Sequence, residues 1–272
     1  METKFSVLLS LYNKENPDFL KQSLESIFNQ TLKPTEIILV EDGPLTSKLY
    51  EVLNEYKKKY PEFKTIPLKE NKGLGVALNE GLKHCSYELV ARMDTDDICK
   101  PNRFEKQVNF MNENPEISAS SAWMDEFINE TTNIKTIKKV PLNYEEISSY
   151  IKKRNPLNHP SVIFRKSDVI KAEGYKHFPL FEDWFLWARM FKKGKKFANI
   201  SESLLFFRTS PDMYRRRGGV KYAKDNFKFQ FTLYNLGIKS LLSALIDSGV
   251  RGGVYLLPNK IREFIYTKFL RS

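Results

Sequence analysis

Arg92-Met93-Asp94-Thr95-Asp96-Asp97 decides how the rest of the chain is read. Three carboxylates crowd into this turn directly after Tyr87-Glu88-Leu89-Val90-Ala91, whose pattern predicts a strand running into the core. Lys100-Pro101 and the helical spacing of Phe104, Val108 and Met111 predict a helix opening on Pro101. The acids therefore fall in a strand-to-helix turn at the carboxyl end of a strand, where open α/β sheets bind ligands. Like charges this close repel unless a cation joins them. A hard divalent ion with oxygen ligands, Mn²⁺ or Mg²⁺, answers that need, and such an ion usually reaches its site with a diphosphate attached.

Two other readings of the turn stand beside this one. Asp is a common turn residue, and an acidic turn is often only solvated. Phosphatases that pass through an aspartyl-phosphate also carry Asp-x-Asp, but on the first strand, with Thr or Val two residues after the second Asp. Here that place holds Ile98, and three strand candidates come earlier.

Composition bounds the answer. At 272 residues, with 41% hydrophobic content and 20 Phe, the chain can hold one large α/β domain, or one domain and an extension. Cys85 and Cys99 are too few for a disulfide scaffold and match no zinc spacing, which points to a reducing compartment. No signal-peptide pattern precedes the first strand, and no apolar run approaches the ~20 residues of a spanning helix. Charge is uneven. Met213 to Ser272 holds twelve Lys or Arg against three Asp or Glu, so +9 of the net +11 sits there. A basic tail on a near-neutral body implies a polyanionic partner, an acidic membrane surface or nucleic acid.

In chain order, Phe5 to Leu11 reads as a strand, followed by Asn16 as N-cap and Pro17 at the first helical position. Glu36 to Val40 is a continuous apolar strand suited to a parallel sheet, ending at Glu41-Asp42-Gly43-Pro44. A helix over Ser47 to Tyr60 and an edge strand at Thr65 to Leu68 follow. Asn71-Lys72-Gly73-Leu74-Gly75 leads into a helix over Val76 to His84. It reads either as a phosphate cradle or as a flexible turn. The first half thus predicts β-α-β-α-β-α-β-α, a doubly wound nucleotide-binding unit over 1–113. The second half, 114–212, is less regular. It offers strands within Ile117 to Ile128 and Asn133 to Val140, and a helix over Tyr144 to Lys153. His159 stands at the start of a strand, and closing strands run over Phe197 to Ile200 and Leu204 to Arg208. Phe181 to Trp187 reads as a helix with Glu182 and Asp183 in its first turn. Acids cap helices there through the macrodipole. An acid beside Trp and Phe is also partly desolvated, which suits a general base. The extension, 213–272, predicts helices over Lys221 to Leu236, Ile238 to Asp247 and Asn259 to Leu270. The last is basic and amphipathic, and either meets a membrane or packs on the domain.

Taken together, Phe5 to Asn13, Val40-Glu41-Asp42-Gly43, Asn71-Lys72-Gly73-Leu74, Asp94-Thr95-Asp96-Asp97, Pro101-Asn102-Arg103-Phe104 and Glu182-Asp183 resemble, in order, family 2 glycosyltransferases. The resemblance spans about residues 4 to 210 and is closest to bacterial members that build O-antigen, capsule or exopolysaccharide. It implies a GT-A fold, a Rossmann-like, mostly parallel sheet flanked by helices, to which the basic helical C-terminal extension read above is added. It also implies an inverting transferase that moves a hexose or N-acetylhexosamine from a nucleoside diphosphate sugar, UDP by family habit, to a glycan hydroxyl. The basic tail adds the expectation of a lipid-linked acceptor, such as a polyprenyl-diphosphate-linked sugar, met at the cytoplasmic face of the membrane.

Residue by residue, Tyr12 should flank the base and Asp42 should accept a hydrogen bond from it. Asp94 should contact ribose or donor sugar, and Asp96 should ligate the metal with Asp97 assisting. Asp183 should be the catalytic base, with Glu182 beside it. Leu78 stands where some relatives carry Arg, so Lys72 or the Arg215 to Arg217 loop should meet the diphosphate charge. His159 should line the diphosphate or support the site, and Glu41 replaces an Asp of many relatives. Two rivals remain at this point. A sugar-nucleotide pyrophosphorylase would want a Gly-rich basic loop after the first strand, where Tyr12-Asn13-Lys14-Glu15 stands. A nucleic-acid-binding protein would want a recognition motif, and none is present, so no nucleic acid partner is expected.

Overall fold

β1 (Phe5–Leu11), β2 (Glu36–Glu41), β3 (Phe63–Pro67) and β4 (Leu89–Arg92) lie side by side in the order β3-β2-β1-β4, every neighbouring pair parallel. The computed structural model describes residues 3–209, 218–258 and 261–262. Ile37 to Val40 and Leu89 to Ala91 are unbroken apolar runs because helices cover the sheet on both faces. α1 (Pro17–Phe28), α2 (Ser47–Lys59) and α4 (Arg103–Glu113) bury Leu24, Leu53 and Val108 with Val7, Leu9 and Leu39 on one face. α3 (Leu74–His84) buries Ala77, Leu78 and Leu82 with Leu8, Ile38 and Val40 on the other. The alternation of β1 between the two cores is the period-two geometry of a strand. α3 sits directly on the sheet because residue 81 is glycine: a Cβ there would stand 2.4 Å from Leu8 Cδ1 and 2.7 Å from Val40 Cγ2.

Parallel strands bring their carboxyl ends to one edge. Tyr12, Asp42 and Asp94 leave β1, β2 and β4 at that edge, and the strand order reverses beside β1, the switch point where such sheets bind ligands. As expected, Pro67 closes an edge strand, and Asn16 caps α1, accepting from the Asp18 N–H at 2.8 Å.

Beyond β4 the sheet becomes mixed. It continues through β8 (Ile163–Arg165), β6 (Ile117–Phe127), β9 (Lys196–Arg208) and β5 (Ile98–Cys99), with β7 (Ile134–Lys138) on β6. Only the β6–β9 pairing in this part is parallel. The second-half helices are α5 (Tyr144–Tyr150), α6 (Lys166–Lys171), α7 (Glu182–Lys192), α8 (Gly219–Asn235) and α9 (Leu241–Leu256). Tyr222, Phe229, Leu233 and Tyr255 from the last two, with Ile238 from the turn between them, join the core with residues of α7.

Several local expectations are corrected. α4 begins at Arg103 rather than Pro101, because Ile98 and Cys99 first pair with Phe206 and Leu205 of β9. His159 does not start a strand. It opens a 3-10 turn, His159–Ser161, with Pro160 inside it, and the strand begins at Ile163. The two closing strands are one, β9, whose pairing with β6 shifts register between them. α9 starts later and runs longer than Ile238 to Asp247, since Ser240 caps it by accepting the Ser243 N–H at 3.2 Å. Arg215 with its loop, and most of the stretch Asn259 to Leu270, lie outside the described residues. Among the described residues no helix is long and apolar enough to cross a membrane.

Candidate active site

The acid turn after β4 is held from beneath. Arg103, fully buried, donates from Nη2 to the Arg92 carbonyl at 2.6 Å, and its Nη1 lies 3.0 Å from Met93 Sδ and 3.2 Å from Cys99 Sγ. Ser23 Oγ donates to the Asp94 carbonyl at 3.0 Å. From the end of β9, the Arg208 backbone N–H donates to Asp97 Oδ1 and its Nε to the Asp96 carbonyl, both at 2.8 Å. The guanidinium of Arg208 stands 3.9 Å from the Phe19 ring centre and 4.6 Å from that of Phe127.

In this setting Asp94, Asp96 and Asp97 place carboxylate oxygens within 4.8 Å of one another. Burial, then the charges of Asp94 and Glu15, push Asp96 up to about 7. Burial, then Asp96 and Asp94, raise Asp97 as well, and its Oδ2 is buried with no hydrogen-bond partner. Glu15 adds another carboxylate to the same field. It accepts from Thr95 Oγ1 at 3.1 Å, and burial raises its proton affinity. An all-oxygen donor set with crowded charge and an orphaned buried oxygen fits a hard divalent cation.

On the β2 side, both Asp42 oxygens are engaged. Oδ1 accepts the Lys72 N–H at 2.7 Å and Oδ2 the Gly73 N–H at 3.0 Å, while Asn71 Nδ2 donates to the Asp42 carbonyl at 3.1 Å. The Asn71 to Gly75 stretch is thus an organised lid on the Asp42 turn rather than a loose connection. Gly43, at φ +86°, permits the approach, since a Cβ there would lie 2.6 Å from the Asn71 nitrogen. Lys72 points its ammonium at Glu70, 3.7 Å away, at the surface. Tyr12 is exposed at the end of β1, where an aromatic face is free to meet a base.

The second acid pair lies at the start of α7. Asp183 Oδ1 accepts the Trp184 N–H at 2.8 Å and Oδ2 accepts from Asn155 Nδ2. Burial raises the proton affinity of Asp183, opposed by the Trp184 N–H, the charge of Lys138 and the Asn155 amide. Burial pushes its neighbour Glu182 up to about 7. α3 reaches this pair. A Cβ on Gly75 would stand 3.4 Å from Tyr175 Cβ and 3.5 Å from Glu182 Cγ, so the Asp42 lid and the α7 acids share one wall. Asn79 fixes that wall through reciprocal bonds to the Tyr175 backbone at 2.7 and 2.8 Å.

Between the two acid groups stands Arg92. It is buried, ion-paired with Asp94, and its charge acts on Asp96, Asp97, Asp183, Tyr175 and His159. Its Nε and Nη1 have no hydrogen-bond partner. His159 is buried against it with Nε2 2.9 Å from the Tyr175 hydroxyl. Burial and the Arg92 charge hold the imidazole well below its usual pKa, so it is neutral near pH 7. The structure therefore brings Asp94, Asp96, Asp97, Asp183 and His159 around Arg92, with Glu182 beside Asp183 at the start of α7. Asp42, Lys72 and Tyr12 stand along the strand-end edge.

Arg208, Glu15, Asn155 and Tyr175 escaped the sequence reading. Glu15, three residues past Tyr12, carried the only readable signal. The others arrive from distant loops and strands whose pairing no local pattern records.

Residues 6–173 match the family model described as Glycosyl transferase family 2. Among curated relatives, an uncharacterized glycosyltransferase of Haemophilus influenzae is 44% identical, covering 99% of this chain and 100% of that one. The amylovoran biosynthesis glycosyltransferase AmsE of Erwinia amylovora is 41% identical, covering 97% and 98%. The UDP-Gal:alpha-D-GlcNAc-diphosphoundecaprenol beta-1,3-galactosyltransferase of Escherichia coli is 39% identical, covering 98% and 97%. Among solved structures, Staphylococcus aureus TarS 1–349 with UDP-GlcNAc superposes with a TM-score of 0.69 at 16% identity, over 97% of this chain and 75% of that one. The mannosyltransferase PcManGT of Pyrobaculum calidifontis with GDP-Man and Mn²⁺ gives 0.66 at 14%, over 95% and 77%. These superpositions establish the GT-A fold.

Proposed function

The chain belongs to glycosyltransferase family 2, and from that premise we propose that it moves a hexose from a UDP-sugar to a hydroxyl of a polyprenyl-diphosphate-linked sugar, inverting the anomeric centre. The reading assigns 1–113 to the donor, 114–212 to the acceptor and 213–272 to the extension, with the enzyme working at the cytoplasmic face of the membrane. The pyrophosphorylase reading gives way to the family. Galactose is the first donor to test, because one relative is named for UDP-Gal and a diphosphoundecaprenol acceptor.

The observation that carries the site is the Asp94, Asp96 and Asp97 trio, its oxygens within 4.8 Å, at the same sheet edge as Tyr12 and Asp42. Asp96 and Asp97 would hold Mn²⁺ or Mg²⁺, which supplies positive charge against the diphosphate. Tyr12 flanks the base. Asp42 orders the Lys72–Gly73 backbone and, in this role, the base beside it. Asp94, fixed by Arg92, faces ribose or donor sugar.

Asp183 accepts the acceptor hydroxyl proton as that oxygen attacks the anomeric carbon. The new glycosidic C–O bond forms, the anomeric C–O bond to phosphate breaks, and the nucleoside diphosphate leaves with the electron pair. The Trp184 N–H and the Asn155 amide favour the ionised form of Asp183 against its burial. Neutral His159, bonded to the Tyr175 hydroxyl, lies within reach of the Arg92 charge between the two acid groups. Holding donor and acceptor in one cleft supplies much of the remaining acceleration. The test is release of free nucleoside diphosphate from a panel of sugar nucleotides with Mn²⁺, in the presence of a polyprenyl-diphosphate-linked N-acetylhexosamine. Metal-dependent release that requires the acceptor is expected. Equal release with EDTA, or none with any donor, overturns the reading.

A further inference from the structure

α9 turns large apolar side chains outward. Leu241, Leu242, Leu245, Ile246, Val250 and Leu256 are between 45% and 67% exposed. At ~100° per residue they fall within one half of the helix surface, outside the arc that holds buried Ala244, Ser248 and Tyr255. Scattered exposed apolar residues need no explanation, but a whole helix face does. α8 extends the surface. Val220, Phe227 and Tyr234 are exposed, and the Phe227 and Phe231 rings are 4.7 Å apart. Around α8 these residues fall between Gln230, bonded by Lys239 at the foot of α9, and an exposed row of Lys221, Lys224 and Lys228. The order across the hairpin is therefore aliphatic face, aromatic strip, lysine row.

We infer that this surface docks on a bilayer: α9 lies in the plane of an anionic membrane with its outer face at the acyl boundary, and the lysines of α8 meet the headgroups. Interfacial helices carry this pattern, and aromatic side chains settle at headgroup level between the two. Charge decides against a second copy as the occupant. Two copies face to face would bring like lysine rows together, within a stretch that carries +9 of the net +11. Gly249 and Gly253 have open space around them and offer the seam a second copy would use, so that outcome belongs in the test.

The inner side of the hairpin ties this face to the site. Tyr255 stands 4.6 Å from Tyr222, Tyr222 stacks on Phe181 at 5.4 Å, and Phe229 meets Trp184 at 4.8 Å. Phe181 and Trp184 flank Glu182 and Asp183, so docking sets the α7 acids one helix layer from the lipid. The surface stands on its own observations; its use in reaching a lipid-linked acceptor rests on the function proposed above.

The experiment is flotation of the full chain with zwitterionic vesicles containing about 30% anionic phospholipid. The Leu242→Ser, Ile246→Ser, Val250→Ser triple variant should lose vesicle partitioning by at least about tenfold. Lys221→Glu with Lys224→Glu should lose less, and the loss should vanish on removing the anionic lipid. A Leu242→Trp variant should shift its emission to the blue with vesicles and keep the shift in high salt. Circular dichroism checks that each variant folds. Acceptor-independent donor hydrolysis, measured without lipid, should be equal in all, which separates this inference from the catalytic reading. Unchanged flotation of the triple serine variant, or binding abolished by salt alone, overturns it. So does a dimer in sedimentation that the triple variant turns into a monomer without any vesicle binding.

Discussion

Two pairs of neighbouring acids belong to the candidate site, Asp96–Asp97 after the end of β4 and Glu182–Asp183 at the start of α7, and their surroundings give them different chemistry. Burial raises both Asp96 and Asp97, helped at Asp96 by the charges of Asp94 and Glu15 and at Asp97 by those of Asp96 and Asp94, and Asp97 keeps a buried oxygen unpaired. In the function proposed above, a cation would complete that pair. Asp183 is buried too, but the Trp184 N–H, the Asn155 amide, Lys138 and Arg92 all favour its ionised form. It is complete as it stands, a desolvated carboxylate with its orientation fixed. The difference teaches that residue type names neither role; the balance between burial and compensating partners does.

The sharpest break of the comparison is Asp183→Asn. If Asp183 is the base, transfer should fall by about a thousandfold while donor binding stays within a few-fold of the parent. Calorimetry with the nucleoside diphosphate and single-turnover transfer read the two halves separately. Lost nucleotide affinity would move Asp183 to the donor side and erase the distinction. Next in size is Asp96→Ala, for which we expect the opposite signature: nucleotide affinity in Mn²⁺ falls by about a hundredfold, and adding metal no longer changes it. A variant that still shows the parent's metal dependence would remove Asp96 from the cation.

These two residues were legible in the sequence because each sits where a local rule ends. The acids of β4 follow an unbroken apolar run and precede a helix; Glu182 and Asp183 open a helix crowded with aromatics. The parallel half of the sheet was equally legible, since its strands are buried on both faces and α1 and α2 carry side-chain caps at Asn16 and Thr46. What could not be read is what long-range pairing creates. β5 is two residues long and exists only because β9 arrives beside it. Arg208 reaches the acid turn for the same reason, and Asn155 reaches Asp183 from a loop with no periodicity. His159 was misplaced onto a strand because the neighbouring Pro160 favours a tight turn that apolar pattern does not reveal. The apolar outer face of α9 was hidden for a different reason. Periodicity shows that a helix has two faces, but not which one the protein covers.

A finer test of the Asp183 environment is Asn155→Ala. The Asn155 amide favours the carboxylate, so its loss moves the proton affinity of Asp183 further up. A base is active when ionised. The acidic limb of the rate profile should therefore move to higher pH, with about a tenfold loss near pH 7 that recovers in alkali. A uniform loss at every pH would mean that Asn155 serves the acceptor or the local fold instead.

The smallest effect belongs to Glu182, and it separates the members of the α7 pair. Burial holds its carboxyl at about 7 in the folded chain, against an ordinary value of 4.5 in the unfolded one. Below pH 4.5 the group is protonated in both states and burial costs nothing. Between 4.5 and 7 the unfolded chain releases the proton first, so stability falls as pH rises, and above 7 the full penalty remains. Glu182→Gln removes the charge. The variant should match the parent at pH 4 and exceed it at pH 8 by about 1–2 kcal/mol in denaturant midpoints, after discounting the part of the side chain that faces solvent. Transfer should change far less than in Asp183→Asn, because the proton acceptor is intact. A variant less stable than its parent at pH 8 would mean that a cation balances Glu182, and the α7 pair would then resemble the β4 pair after all.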